Sequence, residues 1–337
     1  MSYLLLQAAA TLFYFQVEGG TCHWTVRGMP EGTAYRVHST PTCPIHLVWE
    51  PAARTAWYTL GHDLYSVSWK ENKAELHARL PFTGRLDMLA GASRLYVSAA
   101  SGKLRVAFLE PVAEKDVVRR GAETFFRRRG RLEPDRDAGL IGSPFFAVAW
   151  DLDPGGSWTE VRAVPTNGEA GDTRGLDALE SALDSKRGTY ALDEVEGALG
   201  RRDWDRAEFT DASARREEFA RLLLGATEGV GYLDLDRTSG IVFPLVHGDA
   251  RHAASPVYCC QDSCATMEKL RGLPESARKD EHLFSFQFAG DLILVRPESG
   301  PGAWAYQACQ PDPIVLGAVE SAHWLPFDAA WLRPAAR

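Results

Sequence analysis

The sequence predicts a mainly β fold with a helical insertion, built of antiparallel meanders of β-propeller type. A β-sandwich carrying a small α subdomain is the alternative. Three observations carry the prediction. Short runs rich in aromatic and β-branched residues recur from Leu12 to Leu109, at the roughly 8 to 12 residue spacing of an all-β domain. Several alternate with a period of two: Tyr65, Val67 and Trp69 fall on one face and Ser66 and Ser68 on the other, and Leu76, Ala78 and Leu80 oppose Glu75, His77 and Arg79. Gly-containing pairs, Ser101-Gly102 and Gly290-Asp291, sit between such runs as hairpin turns do.

Taken in order, residues 1–110 form the first part of the β body, with ten runs at 12–17, 22–27, 35–39, 45–50, 55–60, 64–69, 74–80, 86–89, 94–99 and 104–109. The stretch 64–109 has the size of one propeller blade. Residues 111–140 carry Arg119-Arg120, Arg127-Arg128-Arg129-Gly130-Arg131 and a mixed-charge tail, and read as a charged loop or linker. Residues 141–170 read as a β hairpin. In 171–226, Leu176, Leu179 and Leu183, then Leu192, Val195 and Leu199, then Phe219, Leu222 and Leu223 recur at helical spacing, which predicts two or three helices in contact through these stripes and laid on the β body as an insertion or small subdomain. Residues 227–337 return to strands, and the first strand of the chain is positioned to complete the last blade.

Length and composition bound the function. The chain has 337 residues, 45% hydrophobic and 24% charged, enough for a full core and too apolar for wholesale disorder. Acidic residues number 45 against 37 basic, for a net charge of −8, which disfavours nucleic acid as a partner. Seven of the basic residues are Lys and 30 are Arg, a bias of composition. Met1–Phe15 is apolar but has no Lys or Arg ahead of it and reads as a strand, not a signal peptide. No run is long enough to span a membrane. Six cysteines at uneven spacing suggest buried thiols in a reducing compartment, so a cytoplasmic location is expected, with secretion the lesser reading.

The hairpin at 141–170 has the most specific local pattern. Asp151-Leu152-Asp153-Pro154-Gly155-Gly156-Ser157-Trp158 contains Asp-x-Gly-x-x-Trp from Asp153. It resembles the Asp-box, a hairpin turn of some β-propeller blades, with Asp at position 151 where that pattern usually has Ser or Thr. The resemblance covers eight residues. It implies that Asp151, Asp153, Gly155 and Trp158 are structural: a carboxylate ties down backbone N–H groups, Gly takes an unusual φ, and Trp plugs the blade core.

Other residues suggest chemistry, each against a plainer reading. Cys260 and Cys264 have the spacing of one zinc hook and His252 lies upstream, yet a second hook is lacking, so no cofactor is expected beyond a weak case for zinc. Gln307-Ala308-Cys309-Gln310 resembles the start of the caspase nucleophile signature, with His247-Gly248 upstream; Cys309 would be nucleophile and His247 base. Pro311 departs from that signature. Asp234, Asp236, Thr238 and Gly240 imitate a calcium loop without its terminal Glu. Phosphate loops, dinucleotide fingerprints, zincin and hydrolase-elbow motifs are all missing from the sequence. Most of the ten Trp residues sit in strand patterns and are expected in the core, with Trp204 the exception among charged neighbours.

These features favour a non-catalytic bacterial protein–protein interaction or regulatory module that presents the helical segment to another protein. A variant makes the chain a substrate or inhibitor of a protease in a defence or toxin-immunity setting, with Arg127, Arg128, Arg129 and Arg131 as a cleavage-prone loop. The alternatives are a Cys–His hydrolase or a propeller glycosidase.

Overall fold

Apolar alternation and a Gly-Gly turn make the first hairpin. The strands β1 (Thr11–Glu18) and β2 (Thr21–Gly28) pair antiparallel with Glu18 opposite Thr21. Gly19 and Gly20 between them have φ of 58° and 80°, the tight-turn geometry that side chains with a Cβ resist. The computed structural model of the chain describes residues 10–30, 32–71, 73–82, 93–98, 101–120, 123–134, 143–168, 176, 179, 183, 190–191, 230–234, 239–246, 249–253, 256–261, 266–274, 284–297, 301–307, 309–316, 319–327 and 329–332. It divides into two compact units, Met1–Cys43 with Asp193–Arg337, and Pro44–Leu192. The chain passes between the units after Cys43 and again after Leu192.

The second unit contains three antiparallel sheets. In the first, β4 (Leu47–Glu50), β5 (Thr55–Leu60), β6 (Asp63–Ser68) and β7 (Lys73–Arg79) form a simple meander. In the second, β8 (Ser93–Val97) and β9 (Leu104–Pro111) are joined through Ser101-Gly102 as expected. A three-stranded sheet follows, made of β10 (Val117–Arg120), β11 (Glu123–Arg128) and β12 (Arg131–Pro134). Then β13 (Ser143–Leu152) pairs with β9, and β14 (Trp158–Gly168) pairs with β13, giving the order β14-β13-β9-β8. The short β15 (Tyr190–Ala191) lies beside β4.

Two expectations are corrected here. Residues 64–109 are not one blade, because β6 and β7 belong with β4 and β5 while β8 and β9 belong with β13 and β14. The segment 111–140 is not a loop over its described part. Phe125 and Phe126 pair across to Val118 and Val117, and Phe126 is buried with Phe146 and Val148. Apolar burial at those positions offsets the charge of the flanking arginines.

The first unit holds the remaining strands. β3 (Ala34–Thr40) extends the first hairpin, and on its other side β1 pairs with the last strand, giving the order β25-β1-β2-β3. A second, larger sheet contains β16 (Val230–Asp234), β17 (Gly240–Val246), β18 (Asp249–Ala253), β19 (Tyr258–Gln261), β20 (Thr266–Lys269), β21 (Phe284–Ala289), β22 (Leu292–Pro297), β23 (Trp304–Gln307) and β24 (Ile314–Val315). The last strand, β25 (Val319–Leu325), carries Trp324, which is buried with Leu12, Tyr14, Leu292 and Leu294. That core fastens the first sheet to β22. The expected pairing of first and last strands is therefore present.

All described strands pair antiparallel, in sheets of three or more strands, so the mainly β class built of antiparallel meanders stands. Of the helical stretch, Leu176, Leu179 and Leu183 are in α-helical conformation. They pack on Ala107, Leu109, Phe145, Ala147 and Ala149 of β9 and β13, as expected of a segment laid on the β body. The stripes at 192–199 and 219–223, and Trp204, lie outside the described residues. Trp24, Trp49 and Trp324 are fully buried, and the other six described Trp residues are half-buried, as the strand pattern requires.

Candidate functional site

The turn at 151–158 and the arginine hairpin both flank β13 and β14, and they differ in how far their charges are satisfied. At the turn, the Asp153 N–H donates to Ser157 O at 2.8 Å and the Gly156 N–H to Asp153 O at 2.9 Å, closing the loop. Gly156, with φ 79°, supplies the left-handed residue; a Cβ there would meet His77 O at 3.0 Å. The left-handed glycine is therefore the neighbour of Gly155, the expected position.

Its carboxylates bind side chains. Asp151 accepts from Arg105 Nε at 2.5 Å and Nη2 at 2.9 Å and from Ser101 Oγ at 3.2 Å; Arg105 stands directly opposite it on β9. Asp153 accepts from Lys103 Nζ at 2.6 Å and Thr159 Oγ1 at 2.5 Å. The Lys103 hydrogen bond, with Thr159 adding to it, holds the Asp153 carboxyl below the usual carboxylate range. Trp158 Nε1 donates to Arg79 O at 2.8 Å, and its ring packs at the edge of a cluster with Leu80, Phe82 and Val106. Every acid and base here has a partner within the turn or its neighbouring strands, so the device fixes a hairpin end and leaves no charge for a ligand.

The arginine hairpin is different. Arg128 pairs with Arg131 across a two-residue loop, Arg129-Gly130, with φ of 46° and 79°. Both central residues have positive φ, the twist that suits a two-residue hairpin, so the run is an ordered turn. Arg127 and Arg128 belong to β11 and Arg131 to β12; Arg129 is the turn residue.

Together with β14 this hairpin walls a surface depression of about 470 Å³, lined by Arg128, Arg129, Arg131, Phe146, Glu160 and Arg162, with Val161 and Ala163 between. Arg128 lies with Cζ 5.3 Å from the Phe146 ring centroid, and Arg129 5.1 Å from that of Trp150. Such stacking holds a guanidinium in place while leaving its edge available. Arg128 also pairs with Glu110, and its Nη1 stands 2.9 Å from Glu160 Oε1. Arg129 Nη2 is 3.0 Å from Glu160 Oε2. Neither contact with Glu160 is aligned for hydrogen bonding, since Arg128 Nη1 and Glu160 Oε2 are buried without a hydrogen-bond partner. Arg131 and Arg162 are exposed and make no ion pair among the described residues. Four arginines and one carboxylate, Glu160, thus line the depression, and a second carboxylate, Glu110, pairs with Arg128.

The cysteines overturn two expectations. Cys22 and Cys43 form a disulfide with Cα atoms 5.1 Å apart, and Cys259 and Cys309 form another at 5.2 Å. Cys260 is disulfide-bonded too. Cys309 is therefore no thiolate nucleophile, and Cys260 offers no free zinc hook. Cys264 and His247 lie outside the described residues, as do residues 235–238 of the calcium-like stretch; of His252 only the backbone, in β18, is described. Among the described residues no group of His, Cys, Asp and Glu is placed to hold a metal ion. His46 has Thr59 Oγ1 at 3.0 Å from Nδ1 and Ser93 Oγ at 2.8 Å from Nε2, a hydroxyl where a catalytic triad has a carboxylate.

Sequence reading located Arg128, Arg129 and Arg131 but missed Glu110, Glu160, Arg162 and Trp150. Period-two alternation would not have found the pair, because the register shifts between Ala149 and Trp150: Arg162 stands opposite Ala149, Glu160 opposite Trp150, and Val161, 41% exposed, is the extra residue between them.

No protein-family model and no curated protein matches the chain. Among solved structures, TolB from Acinetobacter baumannii is similar over 94% of this chain and 66% of its own, with 11% identity and a TM-score of 0.31. An oligogalacturonate lyase in complex with manganese follows, over 89% of this chain and 59% of that one, with 10% identity and a TM-score of 0.26. Another from Vibrio parahaemolyticus is similar over 94% and 78%, at 8% identity and a TM-score of 0.27. The chain thus spans less than two thirds of the first two structures' lengths. Likenesses of this size carry no argument about fold or function, and the strand pairing described above stands by itself.

Proposed function

We propose that the chain is a non-catalytic protein-interaction module whose contact surface is the arginine-lined depression between the β11–β12 hairpin and β14. The supporting observation is the contrast in charge satisfaction: Asp151, Asp153, Lys103 and Arg105 neutralise one another, whereas Arg131 and Arg162 stand exposed beside a concave, aromatic-backed wall. Arg held on an aromatic ring is a recurrent interface anchor. The paired cysteines support an oxidising compartment outside the cytoplasm as the place where this happens. The expectation of a cytoplasmic protein rested on the lack of a signal-peptide pattern and of a membrane-spanning run in the sequence, together with a reading of the cysteines as free thiols, and only the last is changed by the pairing of the described cysteines. No helix among the described residues is long and apolar enough to cross a membrane.

The segment 172–225 is a second candidate contact, and a protease or toxin is the partner class the charge pattern first suggested. The test is photo-crosslinking from position 131 and, separately, from position 200 of the full chain in its native host, with identification of the adducts. A protein adduct from position 131 supports the proposal. Adducts from position 200 alone move the surface to the segment 172–225, and turnover of a substrate by the purified chain ends the non-catalytic reading.

A further inference from the structure

The depression also indicates what kind of segment it takes. We infer that the arginine hairpin and β14 bind an extended, carboxylate-rich peptide segment of a partner protein; this rests on the interaction-module reading above. Arg128 and Arg131 stand opposite each other in register, where like charges repel, and Arg129 is in the turn between them. Glu160 is the carboxylate facing both Arg128 and Arg129, and it meets them without hydrogen-bond alignment. An incoming carboxylate would relieve that repulsion, and guanidinium forks match carboxylates two bonds at a time.

A second, independent observation comes from the backbone. Arg129 has φ 46°, a left-handed conformation that Gly, Asn or Asp adopt at lower cost. The strained position retains a long cationic side chain stacked on Trp150 at 5.1 Å, as expected where function and not turn formation selects the residue. The ligand class follows from scale and sign. A depression of about 470 Å³ holds a few residues of peptide, not a duplex, and the −8 net charge of the whole chain opposes a long polyanion while leaving a local cationic site effective against short acidic segments. An extended segment suits the site because β14 is an edge strand of the described sheet, with backbone groups on its outer side.

Isothermal titration of the full chain with an acetylated, amidated octapeptide of alternating Glu and Thr provides the test, with a Gln–Thr octapeptide and a single-stranded octanucleotide as controls. The Glu peptide is expected to bind at least tenfold more tightly than the Gln peptide, and to lose about tenfold in affinity between 50 and 200 mM salt. Substituting Arg131→Gln with Arg162→Gln, both at exposed positions, should weaken it at least tenfold with an unchanged melting temperature. Equal binding of the Gln peptide, insensitivity to the double substitution, or tighter binding of the oligonucleotide overturns the inference. Crosslinking to a protein from position 131 together with absent Glu-peptide binding would sink this inference alone. Absence of both removes the interaction surface as well.

Discussion

Replacing Asp151 by Ala should destabilise the chain by about 3–5 kcal/mol, the usual cost of stranding one partner of a buried ion pair. The magnitude follows from the site. The side chains of Arg105 and Asp151 are 4% and 9% exposed and joined by two hydrogen bonds. At about 4 Å between charge centres and an effective dielectric of about 20, their attraction is roughly 4 kcal/mol. Arg105 is held more firmly protonated than an ordinary arginine by its bond to Asp151, so it cannot shed its charge when the carboxylate goes. Urea unfolding followed by Trp fluorescence reads the loss. The double variant Arg105→Met/Asp151→Leu removes both charges and should recover most of it, since an apolar pair of similar volume is close to neutral. A cost below about 1 kcal/mol for Asp151→Ala, or a double variant as unstable as the single, would refute the view that this pair locks the hairpin end.

Three further outcomes are expected. His323 is fully buried, and burial, with Arg296 adding to it, holds its imidazole well below the ordinary histidine range. The unfolded chain therefore binds a proton that the folded one does not, and stability should fall as pH drops through about 6.5, with a limiting slope of about 1.4 kcal/mol per pH unit; His323→Gln should flatten that slope in acid melts. Substituting Cys259→Ser with Cys309→Ser opens a loop of sequence separation 50 and should cost up to about 4 kcal/mol by the chain-entropy argument, read as a lower urea midpoint. Arg129→Asn should relax the left-handed turn residue, raising stability by a few tenths to about 1 kcal/mol while weakening Glu-peptide binding, two readouts that separate turn strain from ligand contact.

Strand existence was legible because half-buried strands print their two faces in the sequence: the expected run 55–60 is the observed Thr55–Leu60, and 22–27 differs from Thr21–Gly28 by one residue at each end. Sheet membership was not, since alternation says which face is buried but not which strand lies beside it; β9 meets β13 across the intervening three-stranded sheet. The arginine run hid its hairpin because five Arg residues within 127–131 and 120 mask a Val and Phe pattern, although Arg129-Gly130 was readable as a turn. Cysteine pairing is set by tertiary register. Cys22 sits opposite Thr40, and the chain returns Cys43 to it three residues past that point, a closeness that no linear spacing rule contains.

Hydrogen–deuterium exchange of the full chain with and without the Glu–Thr octapeptide tests the central claim most directly. Protection confined to peptides covering 123–134 and 158–164, lost in the Arg131→Gln/Arg162→Gln variant, is the predicted result. Protection elsewhere, or none at saturating peptide, would contradict it.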